Sequence, residues 1–324
     1  MTDPQIAFIQ ALQTQAPWLE IPMQFFSFLG QPEFYLLVIP IFYWCWDPRL
    51  GLRLGLLMGI SGGLNEALKV AFHLPRPYWV SPEVRAFGSY PSFGLPSAHA
   101  QGAVALWGLL AFDARRAWFW VFAAVMAFLI GGSRVVLGVH FPADVIAGWV
   151  VGAAVLLGFL ALEEPVGRRV AALPLSRQVL VAFAGSLALA LASFAALAAL
   201  GNWEVPAFWT AGALERSGEP IRPLFLRDAV TASGLLFGFA AGAAAERHRG
   251  SMCAVERGSV RLLRYIFGIA VTGAIWYGLG LFVPQDPAAA AYILQYLRAA
   301  VAGAWVSFGA PAVFACANTL RGGA

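Results

Sequence analysis

Chemically active side chains fall in three short blocks of an otherwise apolar chain: "KVAFHLPRP", "LPSAHA" and "GGSRVVLGVHFPAD". The side chains of these blocks that could share one site are Lys69, Arg76, Ser97, His99, Arg134, His140 and Asp144. Charged groups are costly inside apolar segments unless they are paired or used. We therefore expect three separate segments to bring these side chains to one depth of the fold.

Three cations that meet in one place repel each other, and a bound anion removes that repulsion. Guanidinium groups present paired donors that fit phosphate oxygens, and a Lys adds a point charge. Lys69, Arg76 and Arg134 therefore favour a phosphoryl group, which carries about two negative charges. Ser97 is placed as the N-cap of a helix, so the free amides of Ala98 and the next residue should point at the same anion.

Two histidines complete a covalent mechanism. His140 precedes Asp144 by four positions, which places both side chains on one face of a helix. A carboxylate that holds one ring nitrogen fixes the tautomer and leaves the other nitrogen free to attack phosphorus. His99 can protonate the leaving oxygen and later activate water. We expect no metal and no cofactor, because the cations already neutralise the phosphoryl charge and no carboxylate cluster suits magnesium.

Each of these residues alone also has a purely structural interpretation. An intramembrane His often only makes a packing hydrogen bond, Arg134 could extend to the membrane interface, and the prolines could only shape a loop. The joint spacing of the three blocks favours the functional interpretation. Glu66, one turn before Lys69, could pair with Lys69 or Arg134 and hold them in place.

The composition indicates that an integral membrane protein positions these blocks. The chain has 324 residues, of which 60% are hydrophobic and 12% charged, with a mean hydropathy of +0.72. A soluble domain carries about 25% charged residues, so this chain has too few to cover a soluble surface. The net charge of +4 is small and the arginines lie in short clusters between apolar runs, so we expect no nucleic-acid partner.

The apolar runs predict an all-α fold, a polytopic transmembrane helical bundle of about nine spans. The predicted spans are residues 32–47, 51–72, 97–113, 117–138, 142–162, 178–200, 226–245, 262–283 and 289–316. Residues 1–31 mix apolar and polar positions at helical spacing, which predicts one amphipathic helix in the interface. The alternative is a first span that starts earlier and is broken at Pro32. Tyr78, Trp79 and Trp149 are expected in the aromatic belt of the interface.

Basic residues cluster in alternate loops, and such clusters favour the cytoplasmic side. The clusters include Arg49, Arg115, Arg168, Arg257 and Arg321. We therefore expect an extracytoplasmic N-terminus and a cytoplasmic C-terminus in a plasma membrane, of the bacterial inner-membrane type.

The chain divides by composition into three parts. Residues 1–31 are the interfacial helix, residues 32–165 are the core that carries the active blocks, and residues 166–324 are a C-terminal transmembrane extension rich in Ala, Gly and Leu. Small residues let helices pack closely in lipid. The extension could form a homodimer contact, a wall for a lipid tail or a second module.

The three blocks resemble the type-2 phosphatidic acid phosphatase family, also called lipid phosphate phosphatases. Its pattern of K-x6-R-P, P-S-G-H and S-R-x5-H-x3-D is matched within roughly residues 33–165, with Ala98 where the family has Gly. The backbone N–H survives that change. The resemblance implies that phosphate is bound by Lys69, Arg76, Ser97, the amide of Ala98 and Arg134. It also implies that His99 is the general acid, His140 the nucleophile and Asp144 its orienting partner.

These patterns together predict an integral membrane phosphatase. It would hydrolyse a lipid phosphate or diphosphate through a phosphohistidine, at a site that faces the outside, with the bilayer and a lipid phosphate as its partners. One alternative is a lipid phosphotransferase that uses the same site. A second alternative, from another class, is a lipid transporter or flippase. The identity of the lipid depends on the tail cleft and on loop 78–95, which no pattern specifies.

Overall fold

Helices form all the regular structure of the residues that the computed structural model describes, 3–250 and 258–321. In chain order they are α1 Pro4–Gln15, α2 Glu20–Phe28, α3 Pro32–Pro40, α4 Pro48–Phe72, α5 Pro77–Val80, α6 Ala98–Ala114, α7 Ala117–Val136, α8 Pro142–Ala171, α9 Leu175–Ala199, α10 Ala207–Ser217, α11 Arg227–Arg249, α12 Gly258–Gly280, α13 Ala289–Ala304 and α14 Ala310–Arg321. Short 3₁₀ or π-helical turns occur at Pro17–Leu19, Ile41–Trp46 and Trp305–Gly309. The all-α prediction is confirmed for this part of the chain; Arg257 lies outside the described residues.

Among the described residues, six helical runs are long and apolar enough to cross a membrane, which confirms six of the predicted spans. They are α7, α8, α9, α11, α12 from Val260 onward, and the run Ala289–Cys316. The predicted spans 51–72 and 97–113 are helices α4 and α6. Polar and charged side chains interrupt α4, and α6 has only 17 residues, so neither is distinguished as a span by length and composition.

The N-terminal 31 residues contain two helices, α1 and α2, and not the single interfacial helix expected from the sequence. The turn Pro17–Leu19 separates them, because a proline cannot donate a hydrogen bond inside a helix. The helical runs Pro17–Phe28 and Pro32–Trp46 are together apolar enough for one span, with a bend of 49° between them. This geometry favours the alternative of a first span broken at Pro32, and it raises the number of candidate spans to seven.

The described chain forms two compact units that alternate along the sequence. The first unit contains Met1–Tyr35, Leu64–Gly158 and Ala192–Leu226. The second unit contains Leu36–Gly63, Phe159–Leu191 and Arg227–Ala324. All three blocks of chemically active side chains lie in the first unit.

In the first unit, α6 and α2 pack against α7, and α10 packs against the short helix α5. The side chains of Tyr78, Trp79 and Phe93 form part of its largest apolar core and are each 0% exposed. The prediction that Tyr78 and Trp79 lie in an interfacial belt is therefore wrong. Trp149 is half-buried, and its Nε1 donates to the carbonyl of Ala127 at 3.1 Å.

In the second unit, α11 lies along α13, and α12 packs against α13 and the turn Ile41–Trp46. Glycines make the α11–α13 contact close: a Cβ at Gly234 would come within 2.5 Å of the Tyr296 carbonyl oxygen. Tyr43, Phe239 and Val306 form a buried apolar cluster in this unit. The small residues of the extension therefore serve helix packing.

Candidate active site

His140 and Asp144 form a buried pair where α7 passes into α8. Nδ1 of His140 lies 3.2 Å from Oδ2 of Asp144, and the amide of Phe141 donates to the same oxygen at 2.9 Å. Both side chains are at least 96% buried. The turn before His140 requires Gly138, whose φ is +71° and whose Cβ, if present, would meet the carbonyl of Arg85. The turn therefore fixes His140 at the start of the helix that carries its carboxylate.

Arg76 holds the other ring nitrogen of His140. Its Nη1 lies 2.9 Å from His140 Nε2 and donates to the Val139 carbonyl at 2.9 Å. Its Nε donates to the Ser92 carbonyl at 2.7 Å, and its Nη2 donates to the Phe93 carbonyl at 3.1 Å. An extended backbone, φ −94° and ψ 156°, is enforced by the proline that follows Arg76. Because a guanidinium only donates, Nε2 is the acceptor and the ring proton is assigned to Nδ1, where it faces Asp144.

Lys69 lies in the last turn of α4 and is 5% exposed. Its Nζ donates to Glu66 Oε1 at 2.7 Å and to Ser92 Oγ at 3.1 Å. Glu66 therefore pairs with Lys69, one of the two partners that the sequence allowed. The Ser92 hydroxyl also accepts from Arg76 Nη2 at 3.2 Å, so one loop serine connects the two cations.

Ser97 is the N-cap of α6, as predicted. Its Oγ accepts from the amide of Ala100 at 3.5 Å, and its own amide donates to the Asp144 carbonyl at 3.0 Å. Ala98 is the first helical residue, and His99 follows it. The backbone of Ser97 thus joins the start of α6 to the start of α8, which brings the second and third blocks together.

Arg134 and His99 are buried and hold side-chain nitrogens without hydrogen-bond partners among the described residues. Arg134 is 1% exposed and His99 is 6% exposed. Arg134 Nη1 donates to the hydroxyl of Ser27, but its Nε and Nη2, and His99 Nε2, have no hydrogen-bond partner among the described residues. Buried polar groups are rarely left unpaired, so this arrangement suits an anionic ligand.

Tyr90 lies between the charged side chains. Its ring is 4.5 Å from Arg134 Cζ and 5.0 Å from Arg76 Cζ, within the range of cation–π contacts. It also meets the His99 ring edge to face, with the ring centroids 6.0 Å apart. The hydroxyl of Tyr78 binds both the amide and the carbonyl of Tyr90, at 3.0 and 3.2 Å, which fixes the loop that carries it.

A cavity of about 450 Å³ opens beside these groups. His99 and Arg134 line it together with Tyr90, and the N-terminal residues Ser27 and Gln31 form another wall. The cavity therefore gives a ligand a path to the unpartnered nitrogens.

The N-terminal helices contribute to the site in a way that the sequence did not indicate. In addition to the contact of Ser27 with Arg134, Gly30 packs against the side chain of His99. A Cβ at Gly30 would come within 2.7 Å of the imidazole Cδ2. Gln13 Nε2 donates to the carbonyls of Arg85 and Val136, at 3.0 and 3.1 Å. A polar serine in an aromatic stretch, "QFFSFLG", was the only available signal.

The segment Ala192–Leu226 also supports the loop of the site. Arg216 Nη1 donates to the Tyr78 carbonyl at 3.1 Å, and the amide of Arg222 donates to the Pro91 carbonyl at 3.2 Å. His73, within the first block, packs against Trp203 with the ring centroids 5.0 Å apart. The loop between Arg76 and Ser97 is therefore held from a part of the chain far away in sequence.

Burial and the neighbouring cations determine the charge of His140. Burial lowers its pKa well below 6.5, and the positive charges of Arg76 and Arg134 lower it further. His140 is therefore neutral at physiological pH, which leaves a lone pair on Nε2. For Tyr90, burial and the nearby charge act in opposite directions. Burial raises the pKa of Tyr90, but the positive charge and proximity of Arg134 outweigh burial, so the pKa of Tyr90 is lowered.

The part of the chain that the structure describes contains no group of three His, Cys, Asp or Glu side chains placed to hold a metal ion. Six of the seven predicted side chains fall into two sets, and Ser97 stands apart from both. His140, Asp144, Arg76 and Lys69 are linked by hydrogen bonds that run through the loop residues 92–93 and 139. Arg134 and His99 face the cavity, and Ser97 connects two helices.

Two regions of the chain match family models. Residues 50–167 match the family model described as the PAP2 superfamily. Residues 230–320 match the model described as "PAP2 superfamily phosphatase, transmembrane extension". Segment 168–229, which contains the residues that support the active-site loop, lies outside both matches.

Individual relatives agree with the family models. Phosphatidylglycerophosphatase B of Bacillus subtilis is 30% identical over 174 residues, which cover 49% of this chain and 82% of that protein. Glucose-6-phosphatase 3 of Bos taurus is 32% identical over 184 residues, 49% of this chain and 52% of that protein. Undecaprenyl-diphosphatase of Sulfolobus acidocaldarius is 33% identical over 120 residues, 36% of this chain and 55% of that protein. The chain thus spans only about half the length of some of these relatives.

The chain belongs to the PAP2 superfamily. It is a multi-pass member whose described residues form only helices, and a match to the family's transmembrane extension follows the match to the superfamily model.

Proposed function

We propose that the protein is an integral membrane phosphatase that hydrolyses a lipid phosphate or diphosphate through a phosphohistidine at His140. One observation carries the proposal. His140 is held at Nδ1 by Asp144, and its Nε2 faces the guanidinium of Arg76. Unpartnered nitrogens of Arg134 and His99 lie beside a cavity in the same unit. A neutral, oriented imidazole among phosphate-binding donors is the arrangement that nucleophilic attack on phosphorus needs.

In the first step, Nε2 of His140 forms a bond to phosphorus as the bond from phosphorus to the leaving oxygen breaks. The imidazole gains positive charge, which Asp144 stabilises through the Nδ1 hydrogen bond. His99 gives its proton to the leaving oxygen. Lys69, Arg76 and Arg134 bind the three non-bridging oxygens and stabilise their charge in the transition state. The amides at the start of α6, after Ser97, add donors at the positive end of a helix dipole.

In the second step, His99 takes a proton from a water molecule as the water oxygen attacks phosphorus. The bond between phosphorus and Nε2 breaks, inorganic phosphate leaves, and His140 returns to its neutral form. The cations neutralise the phosphoryl charge throughout, so the proposed reaction uses no metal. Glu66 holds Lys69 in place through their 2.7 Å ion pair.

We also propose how the chain lies in the membrane. In addition to the six apolar runs, α4, α6 and the bent N-terminal pair would cross, which gives nine spans. Basic clusters in alternate loops support an N-terminus outside, a C-terminus in the cytoplasm and a site on the outer side of a bacterial inner membrane. Residues 32–165 would act as the phosphatase core, and residues 166–324 as an extension that could mediate a homodimer.

Phosphate release from the purified protein tests the activity. We expect His140→Ala and His99→Ala to abolish release from a panel of lipid phosphates while the far-ultraviolet spectrum and thermal unfolding stay unchanged. Vanadate, which mimics five-coordinate phosphorus, should inhibit, and chelators should not. His248→Ala is the matched control, because His248 lies near the end of α11 in the second unit, and it should leave release unchanged. Full activity of the His140 variant would refute the assignment.

A further inference from the structure

We infer that the cavity beside His99 is a leaving-group pocket that selects phosphomonoesters of a hydroxylated group, a glycerol or a sugar, over diphosphates. The inference rests on the proposed function and specifies its substrate class. The ligand chemistry could come from a lipid headgroup or from a free sugar or glycerol phosphate.

The cavity has a base lined by buried residues and a mouth lined by exposed residues. Ser27, His99 and Arg134 are buried, and Gln24 and Glu33 are exposed. Because the unpartnered nitrogens of Arg134 and His99 lie at the base, the phosphoryl group belongs there. The group that His99 protonates on leaving must then occupy the space between the base and the mouth.

The size of the cavity leaves room for more than a phosphate. Its volume of about 450 Å³ lies within the range of small-molecule sites, about 300–1,000 Å³. Since the phosphoryl group fills only the base, the rest of the cavity must accommodate the leaving group.

The polar lining of the mouth suits hydroxyl groups. Gln24, Gln31 and Ser89 supply amide and hydroxyl groups that can both donate and accept. Gln31 also lies within hydrogen-bonding reach of the Tyr90 side chain, so it connects the mouth to the ring that covers the two guanidiniums. Gln24 already donates to Glu20 and Ser89 accepts from Ser217, so an alkyl or prenyl chain here would cover only the remaining donors and acceptors of these groups, which is still costly.

The charge of the mouth argues against a second phosphate. The cation that lines this cavity is Arg134, at the base, and the charged residue at the mouth is the carboxylate of Glu33. A diphosphate would place its leaving phosphate towards Glu33, and like charges repel. A neutral polyol carries no such penalty, and a carboxylate readily accepts hydrogen bonds from hydroxyl groups.

Matched substrate pairs that differ only in hydroxyl groups test the inference. The soluble pair is glycerol 3-phosphate and propyl phosphate, and the lipid pair, in detergent micelles, is lysophosphatidate and its 2-deoxy analogue. We expect kcat/KM to be at least about tenfold higher for the hydroxylated member. Turnover of only the lipid pair would identify the source as a headgroup, and turnover of the soluble pair would identify a free polyol phosphate.

Two variants and one control connect that preference to the cavity. Gln31→Leu should reduce the hydroxyl preference to about threefold or less, because the leucine cannot bond a hydroxyl group. Glu33→Gln should raise kcat/KM for farnesyl diphosphate about fivefold relative to the monoesters. Glu83→Gln removes the same charge from a residue outside this cavity and should change neither ratio.

The outcomes separate this inference from the proposed function. Equal rates for both members of each pair, or an unchanged preference in Gln31→Leu, would overturn the hydroxylated leaving group while the phosphatase activity stands. No phosphate release from any substrate would overturn both proposals.

Discussion

The sharpest consequence of the site concerns Asp144→Asn. Asp144 Oδ2 lies 3.2 Å from His140 Nδ1. In the proposed mechanism the imidazole becomes positive as phosphorus bonds to Nε2. At that separation and an effective dielectric constant of about 20, two full charges attract by about 5 kcal/mol. A ring that carries half a charge in the transition state gains about 2.5 kcal/mol. A tenfold change in rate is about 1.4 kcal/mol, so this loss alone slows the reaction about 70-fold.

The asparagine also disturbs the tautomer of His140. Its amide can donate to the ring, which favours the proton on Nε2 and blocks the nucleophile. We therefore expect kcat to fall about 10²–10³-fold in all. Folding should survive, because the asparagine oxygen can still accept from the Phe141 amide, which donates to Asp144 at 2.9 Å.

The assay is single-turnover phosphate release together with thermal unfolding. Asp113→Asn is the matched control: Asp113 lies near the end of α6, about 20 Å along the helix from His99, and the variant should keep the wild-type rate. A tenfold or smaller loss of kcat in Asp144→Asn, with an unchanged unfolding temperature, would contradict the role of the carboxylate.

Three further predictions follow from the contacts of the site. Ser27→Ala removes the hydroxyl that binds Arg134 Nη1, and we expect vanadate to bind about five- to tenfold more weakly, measured by inhibition. Arg216→Ala removes the bond to the Tyr78 carbonyl, and kcat/KM should fall about three- to tenfold because the loop of the site loosens. Because its pKa is lowered, His140 should remain neutral at pH 6, as measured by ¹³C NMR. The unfolded chain binds this proton at a higher pH than the folded protein does, so the free energy of unfolding should decrease as the pH falls below about 6.5.

Controls distinguish these effects from general damage. Arg168→Ala removes an exposed arginine that pairs with Glu164 at 3.6 Å, and it should leave kcat/KM unchanged. Unchanged vanadate inhibition in Ser27→Ala would mean that Arg134 is held without the N-terminal helix. A His140 resonance that titrates near pH 6.5 would mean that the ring is not shielded as the structure indicates.

The sequence predicted the part of the site that is set by local spacing. Because His140 and Asp144 are four residues apart, one turn of backbone brings their side chains into contact. Arg76 is extended because Pro77 follows it, and Ser97 caps a helix because of its position before an apolar run. In each case the geometry depends on neighbours within a few positions.

The missed contacts depend on the tertiary fold. Three side chains contact the cations of the site from other segments of the chain, and no spacing pattern predicts these contacts. They are Ser27, Tyr90 and Ser92. Tyr78 and Trp79 were expected at the interface because aromatic residues next to charges often lie there, but the loop folds inwards and buries them. The helix turn at Pro17–Leu19 likewise broke a segment that was predicted as one helix.

The number of membrane spans could be predicted from the sequence only in part. Helices α4 and α6 carry residues of the candidate site, and the polar residues of α4 and the short length of α6 make them poor spans by length and composition. The helices of the extension are long and apolar enough to be recognised as spans, and they were predicted correctly. Segment 168–229 lies outside the matched family regions, and the contacts of Arg216 and Arg222 could be found only from the fold.

The central claim is that His140 carries the phosphoryl group during turnover. The direct measurement is mass spectrometry of His99→Asn protein that is mixed with p-nitrophenyl phosphate and quenched in alkali, since this leaving group needs no acid and the second step should stall. The account predicts one phosphoryl group per chain on His140, absent from the double variant His99→Asn with His140→Ala. A phosphoryl group on another residue, or none while the His140→Ala protein still releases phosphate, would contradict it.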